Sequence, residues 1–143
     1  MRNLRGKSRR GNAFVEGALV LTVVIFVLIG IVDVGQVLVL HQGLVERVRA
    51  GARWGVVNSF NVTKIKNVVV YADPDPGGTP KPLLRLAPSM VTATLAGAGT
   101  PEARITVTIT NYPFRFFTPW IAKAYTARPI RVSMPAEGLG ASS

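Results

Sequence analysis

Apolar residues dominate one early stretch of the chain. From Gly17 to Val32 the only polar side chain is Thr22, and after Asp33 the apolar run resumes from Val34 to Leu40, with Gln36 within it. A bilayer's hydrocarbon core is about 30 Å thick and needs about 20 helical residues at roughly 1.5 Å each. Gly17–Leu40 meets that length, so it predicts a transmembrane helix. Its β-branched residues are no obstacle, because in lipid the backbone must satisfy its own hydrogen bonds. The helical pattern continues through His41–Val57. There Leu44, Val45 and Val48 fall on one face, while Glu46, Arg47, Arg49 and Arg53 fall largely elsewhere. One helix from Asn12 to about Val57 would be roughly 70 Å long, with an inner half in lipid and an amphipathic outer half.

The rest reads as a small α+β domain. Asn67–Tyr71 (NVVVY) has the composition of a buried strand. Ala72–Ser89 holds five of the ten prolines plus Gly77 and Gly78, and predicts a long loop without regular structure. Met90–Leu95 alternates Val91, Ala93 and Leu95 with Thr92 and Thr94. Arg104–Thr110 alternates Ile105, Val107 and Ile109 with Thr106, Thr108 and Thr110. Both are period-two strands with one buried face and the threonines more exposed, joined by a hairpin across Ala96–Ala103. Thr118–Tyr125 suits a short helix, with Pro119 acceptable in its first turn, and Pro129–Met134 a last strand. The expected fold is a long N-terminal helix packed on a small antiparallel sheet.

Charge sharpens the topology. The 143-residue chain carries a net +10, half of it in Arg2, Arg5, Lys7, Arg9 and Arg10, with no acid among them. After Gly11 twelve Lys and Arg face seven Asp and Glu, scattered along the chain. A nucleic-acid-binding protein clusters its cations on one face or helix. Cations placed directly before an apolar helix instead keep that end in the cytoplasm. A cleaved secretory signal fits poorly, because its apolar region is about 7–15 residues long and ends in an A-x-A-like site that is missing here. The chain therefore reads as single-pass in the inner membrane, N-terminus cytoplasmic and C-terminal domain exported. That domain is too small to hold a large core and is expected to lean on the helix.

Candidates for chemistry are few. There is no cysteine, which excludes thiolate metal sites and thiol nucleophiles. His41, the only histidine, reads as an interfacial residue. Asp73-Pro74-Asp75-Pro76-Gly77-Gly78 reads as a turn rather than a calcium loop, which takes six or more oxygens. Tyr112, Phe114, Phe116, Phe117 and Trp120 read as core aromatics, and Asn61-Val62-Thr63 as a chance sequon. No catalytic constellation is present; neither enzymatic activity nor a cofactor or metal is expected. Two acids remain: Glu16 at the cytoplasmic end of the apolar run, and Asp33 well inside it, a candidate intramembrane polar contact. A carboxylate in hydrocarbon costs a few kcal/mol and usually faces a partner.

Arg9-Arg10-Gly11-Asn12-Ala13-Phe14-Val15-Glu16 resembles the processing site of class III signal peptides in type IV pilins and their relatives. Within that superfamily the chain most resembles the TadE-like pseudopilins of tight-adherence (Flp-type) systems. The opening RRGNAFVEGALVL, GIVDVGQ with Asp33, VRAGARWGVV, IKNVVVY, ITVTITNYPFRFF and the ending around Val132–Glu137 carry that resemblance. It implies that a prepilin peptidase cuts between Gly11 and Asn12, leaving Glu16 as the fifth mature residue for pairing with the new amine during assembly. It also implies a division into a basic leader (1–11), a long helix (12–57) and an exported domain (58–143). The partners implied are other pilins or pseudopilins and the assembly platform, with nucleic acid disfavoured. Two departures from the family pattern stand out: Gly17 follows the glutamate where an aromatic is usual, and no proline follows the apolar LVL. An uncleaved single-pass protein with an envelope-binding domain, and a DNA-uptake pseudopilin, are the alternatives. The second requires Arg104, Arg115, Lys123, Arg128 and Arg131 to share a face.

Overall fold

The computed structural model describes residues 7–114 and 125–136. Helix α1 spans Lys7–Val57 without a break. It starts five residues before the expected Asn12, since the Lys, Ser and Arg of the leader are compatible with helix. From Asn12 to Leu28 every side chain is exposed. Thr22, the lone polar side chain there, donates its hydroxyl to the Ala18 carbonyl at 2.8 Å, so its own helix satisfies it. From Ile29 onward one face is covered. Asp33, Leu44, Val48 and Ala52 are buried along it, with Val37 and Leu40 partly so, at the 3–4-residue spacing of a helix face.

NVVVY is not a strand. It forms the second half of helix α2, Val62–Tyr71. Asn61, taken above only as part of a sequon, caps it by accepting from Lys64 N–H at 3.1 Å. Ala72 closes it in a left-handed conformation, its N–H bonded to the Val68 carbonyl. A β-branched residue costs about half a kcal/mol of helix propensity relative to alanine. Burying Ile65, Val68, Val69 and Val70 is worth about 1.5–3 kcal/mol each, so packing decides the conformation. Helix α2 lies against α1 where α1 offers Gly51 and Gly55: a Cβ on Gly51 would overlap Val69 Cγ2, and one on Gly55 would lie 2.9 Å from Ile65 Cδ1.

The sheet is antiparallel, in the order β1 (Val91–Ala96), β2 (Arg104–Ile109), β5 (Ile130–Pro135). Ile105, Val107 and Ile109 are buried toward α1 and α2, as their alternation predicts. Thr106 departs from the expectation that the intervening threonines are more exposed. It sits mid-sheet between Thr94 and Ser133, is only 8% exposed, and donates its hydroxyl to Ser133 Oγ at 3.1 Å. A two-stranded ribbon, β3 (Pro113–Phe114) with β4 (Tyr125–Thr126), completes the domain. The expected helix over Thr118–Tyr125 lies outside the described residues except for Tyr125, which is in strand β4. Tyr112 and Phe114 are buried and stack edge-on at 5.1 Å, as core aromatics; Phe116, Phe117 and Trp120 lie outside the described residues.

The proline-rich connection is not wholly irregular, since it contains 3-10 turns at Leu83–Arg85 and Pro88–Met90. In the first, Leu84 and Arg85 have φ of 51° and 56°, a left-handed conformation that costs a side-chain-bearing residue about 1–2 kcal/mol. The Tyr112 hydroxyl holds the turn by donating to the Leu84 carbonyl at 2.7 Å. Burial pushes the Tyr112 phenol above its ordinary value of 10.0, opposed by the charge of Arg85. The neutral phenol is thus the form the fold favours; its contribution is present below pH 10 and lost as pH rises through the raised pKa. Tyr112→Phe is expected to cost about 1–2 kcal/mol at neutral pH. Thermal unfolding followed by tryptophan fluorescence should show that gap narrowing above about pH 10.

Candidate assembly site on the long helix

Glu16 lies within the exposed part of α1, between exposed Val15 and Leu19 and two residues beyond Phe14, which is 81% exposed. Its carboxylate makes no ion pair among the described residues. An exposed acid among mainly apolar neighbours, with no ion pair among the described residues, offers its charge to whatever covers this surface. Four residues separate Glu16 from Asn12, one turn of helix, so the two share a face about 6 Å apart along the axis. Gly11 and Asn12 lie inside α1, as do Lys7, Arg9 and Arg10; Arg2 and Arg5 lie outside the described residues.

Asp33 has the opposite environment. It is 6% exposed, on the face of α1 that the domain covers, and it is engaged in an interaction there. Seventeen residues of helix, about 25 Å, keep it away from Glu16, so the two acids are separate features. On the other flank at this level Ile31, Val32, Val34, Leu38 and Val39 remain exposed. A shallow groove lined by Gly35, Gln36, Val39 and Leu40 runs beside them.

The remaining sequence candidates have local roles. His41 is exposed on α1. The Asp73–Gly78 segment is a turn tied to α2. Asp75 N–H donates to Asp73 Oδ1 at 2.9 Å, Lys64 Nζ pairs with Asp75 at 2.7 Å, and Asn67 Nδ2 donates to the Pro74 carbonyl at 3.0 Å. Among the described residues no group of three His, Asp or Glu is placed to hold a metal ion. Arg104 and Arg131 point from the same outward face of the sheet, and Arg128 is exposed nearby in the chain; Arg115 and Lys123 lie outside the described residues. Sequence reasoning missed the seat of α2 on Gly51 and Gly55. The signal was there: two glycines and Ala52 on one helix face, and Ile65, Val68 and Val69 at helical rather than alternating spacing.

A 51-residue helix, long and apolar enough to cross a membrane and carrying an α+β domain on its distal half, is a pilin-like architecture. The family model for TadE-like protein matches residues 11–53. That match opens on Gly11 and covers RRGNAFVEGALVL almost whole, GIVDVGQ, and much of VRAGARWGVV, bearing out the family resemblance there. IKNVVVY and ITVTITNYPFRFF lie beyond it. No curated protein and no solved structure is significantly similar to the chain.

Proposed function

We propose that this protein is a TadE-like minor pilin, or pseudopilin, of a tight-adherence pilus or related secretion system, assembled through α1. The observation that carries the reading is the TadE-like match across residues 11–53, which begins at the glycine of the processing motif. Arg2, Arg5, Lys7, Arg9 and Arg10 keep the leader on the cytoplasmic side of the inner membrane. A prepilin peptidase removes residues 1–11 between Gly11 and Asn12, while α1 stays on the product. The new amine of Asn12 and the carboxylate of Glu16 then pair between neighbouring subunits. Such a pair acts chiefly on register, since an intact buried pair adds little net stability whereas a broken one is costly. The exported domain gives the subunit its specificity toward other pilins and the assembly platform.

Helix α1 continues through the scissile bond. The segment around Gly11 must therefore unwind before a peptidase can engage its backbone, and glycine, about 1 kcal/mol poorer than alanine in a helix, eases that opening. Gly11→Leu is expected to abolish cleavage, because a side chain obstructs approach to the backbone and strengthens the helix. N-terminal sequencing of protein extracted from its native membrane is the check. A wild-type chain beginning at Asn12 and a variant retaining its leader support the reading; an intact wild-type N-terminus favours the uncleaved single-pass alternative.

A further inference from the structure

The sheet face turned away from the two helices has a composition of its own. Register places Thr108 beside Arg131 on one rung, Thr94, Thr106 and Ser133 side by side on the next, and Arg104 beyond them. Thr94, Ser133, Arg104 and Arg131 are exposed, whereas Thr106 is held at the centre of the row by its bond to Ser133. Four residues of strand separate the two guanidinium positions, roughly 14 Å. Among the described residues this face carries no acid; Glu102 is in the hairpin before Arg104. Nor does it carry an aromatic side chain among those residues.

We propose that this face binds an acidic polysaccharide. Charge complementarity selects an anionic partner. Arginine's planar fork matches a carboxylate bidentately, and two forks at this separation reach acid groups a few sugars apart along an extended chain. The hydroxyl row between them both donates and accepts, which suits the hydroxyls of sugar rings lying between those acids. Nucleic acid fits less well. Single strands are held by stacking on aromatics, which the described residues of this face lack, and duplexes by many phosphate contacts rather than two. The site is separate from α1 and does not depend on how the anchor assembles.

The test is binding of fluorescent polygalacturonate to the full chain in detergent micelles at about 50 mM salt, where surface charges are weakly screened. Arg104→Gln with Arg131→Gln is expected to weaken binding about tenfold or more. Thr94→Val with Ser133→Ala, which leaves the charge unchanged, should weaken it about threefold. Arg53→Gln with Lys81→Gln removes the same charge from exposed positions outside the row and should leave the affinity within about twofold. Neutral dextran should not compete. An equal loss from both cationic pairs, tighter binding of single-stranded DNA than of polygalacturonate, or no saturable binding by the wild type overturns the proposal.

Discussion

Glu16→Ala is expected to insert and be processed like the wild type, yet to be recovered with its pilus partners at less than about a tenth of the wild-type yield. Under the proposed function insertion depends on the apolar run and on the leader's cations, neither of which the substitution touches, and the proposed cleavage acts on Gly11 and Asn12, a turn away. Assembly differs because, under the proposed function, it encloses the carboxylate. In the isolated chain Glu16 is exposed among apolar neighbours, and only when other helices cover that surface does it leave solvent. Removing one member of a buried ion pair costs about 3–5 kcal/mol, because the other is left uncompensated. A factor of ten corresponds to about 1.4 kcal/mol, so even a partly hydrated pair gives the stated loss. Glu16→Asp keeps the charge with one methylene less reach and should fall between. Co-purification with a tagged partner, run beside a cleavage assay, separates assembly from processing. Normal co-assembly of Glu16→Ala would make the residue an interfacial bystander and end the register mechanism.

Gly51→Ala is expected to be the most damaging methyl group that can be added to the helix glycines. The new Cβ overlaps Val69 Cγ2 and reaches 3.4 Å from the Ile65 carbonyl oxygen. Val69 is fully buried, and a β-branched side chain has little rotamer freedom in a helix, so α2 itself must move. Overpacking of this kind costs about 1–3 kcal/mol and outweighs the roughly 1 kcal/mol that alanine gains in helix propensity. Gly55→Ala should cost less. Its closest neighbours, at 2.9 and 3.3 Å, are the Cδ1 ends of Ile65 and Ile105, which can turn aside. Gly17→Ala and Gly35→Ala meet nothing within 4 Å and should not lower the domain's melting point. For a domain of this size about 1 kcal/mol moves the midpoint by roughly 4–8 °C, so thermal unfolding resolves the order. A Gly51→Ala midpoint equal to that of Gly35→Ala would mean that α2 does not sit on α1 here.

The parts of this fold legible in the sequence are those in which one residue pattern admits one conformation. The apolar run before Leu40 is too long for a strand, the alternation over Arg104–Thr110 has a period of two, and both became the elements they predict. Asn67–Tyr71 failed because a continuous apolar run has no period, and its valines favour a strand intrinsically. What overruled that preference, the groove at Gly51 and Gly55, lies outside the segment and exists only once α1 has formed. Thr106 was misjudged for a related reason, since the pleat sets the direction of a side chain but only its lateral neighbours set its exposure. The family resemblance was legible through a motif, Gly11 followed by Glu16, and the family match begins at that glycine. The outward sheet face was not legible, because no feature of the sequence pairs Thr106 with Ser133 until the register is known.

The domain's grip on α1 begins within the apolar stretch rather than beyond it. Among the α1 residues whose burial is described, the fully exposed stretch Asn12–Leu28 covers about 25 Å of rise, less than the roughly 30 Å thickness of a hydrocarbon core, and Val37 and Leu40 already pack on the domain. With α1 in a bilayer, the underside of the domain is drawn down against the lipid headgroups, with Asp33 sheltered at that boundary instead of stranded in oil. Because the helix runs unbroken from anchor to Val57, the two halves form a single lever. A tilt of about 20°, ordinary for a transmembrane helix, would swing the far end of α1 sideways by roughly 15 Å. Membrane thickness, or the lean imposed by neighbouring helices, would then aim the sheet as a whole, and a pull on the sheet would reach the membrane with no hinge to absorb it.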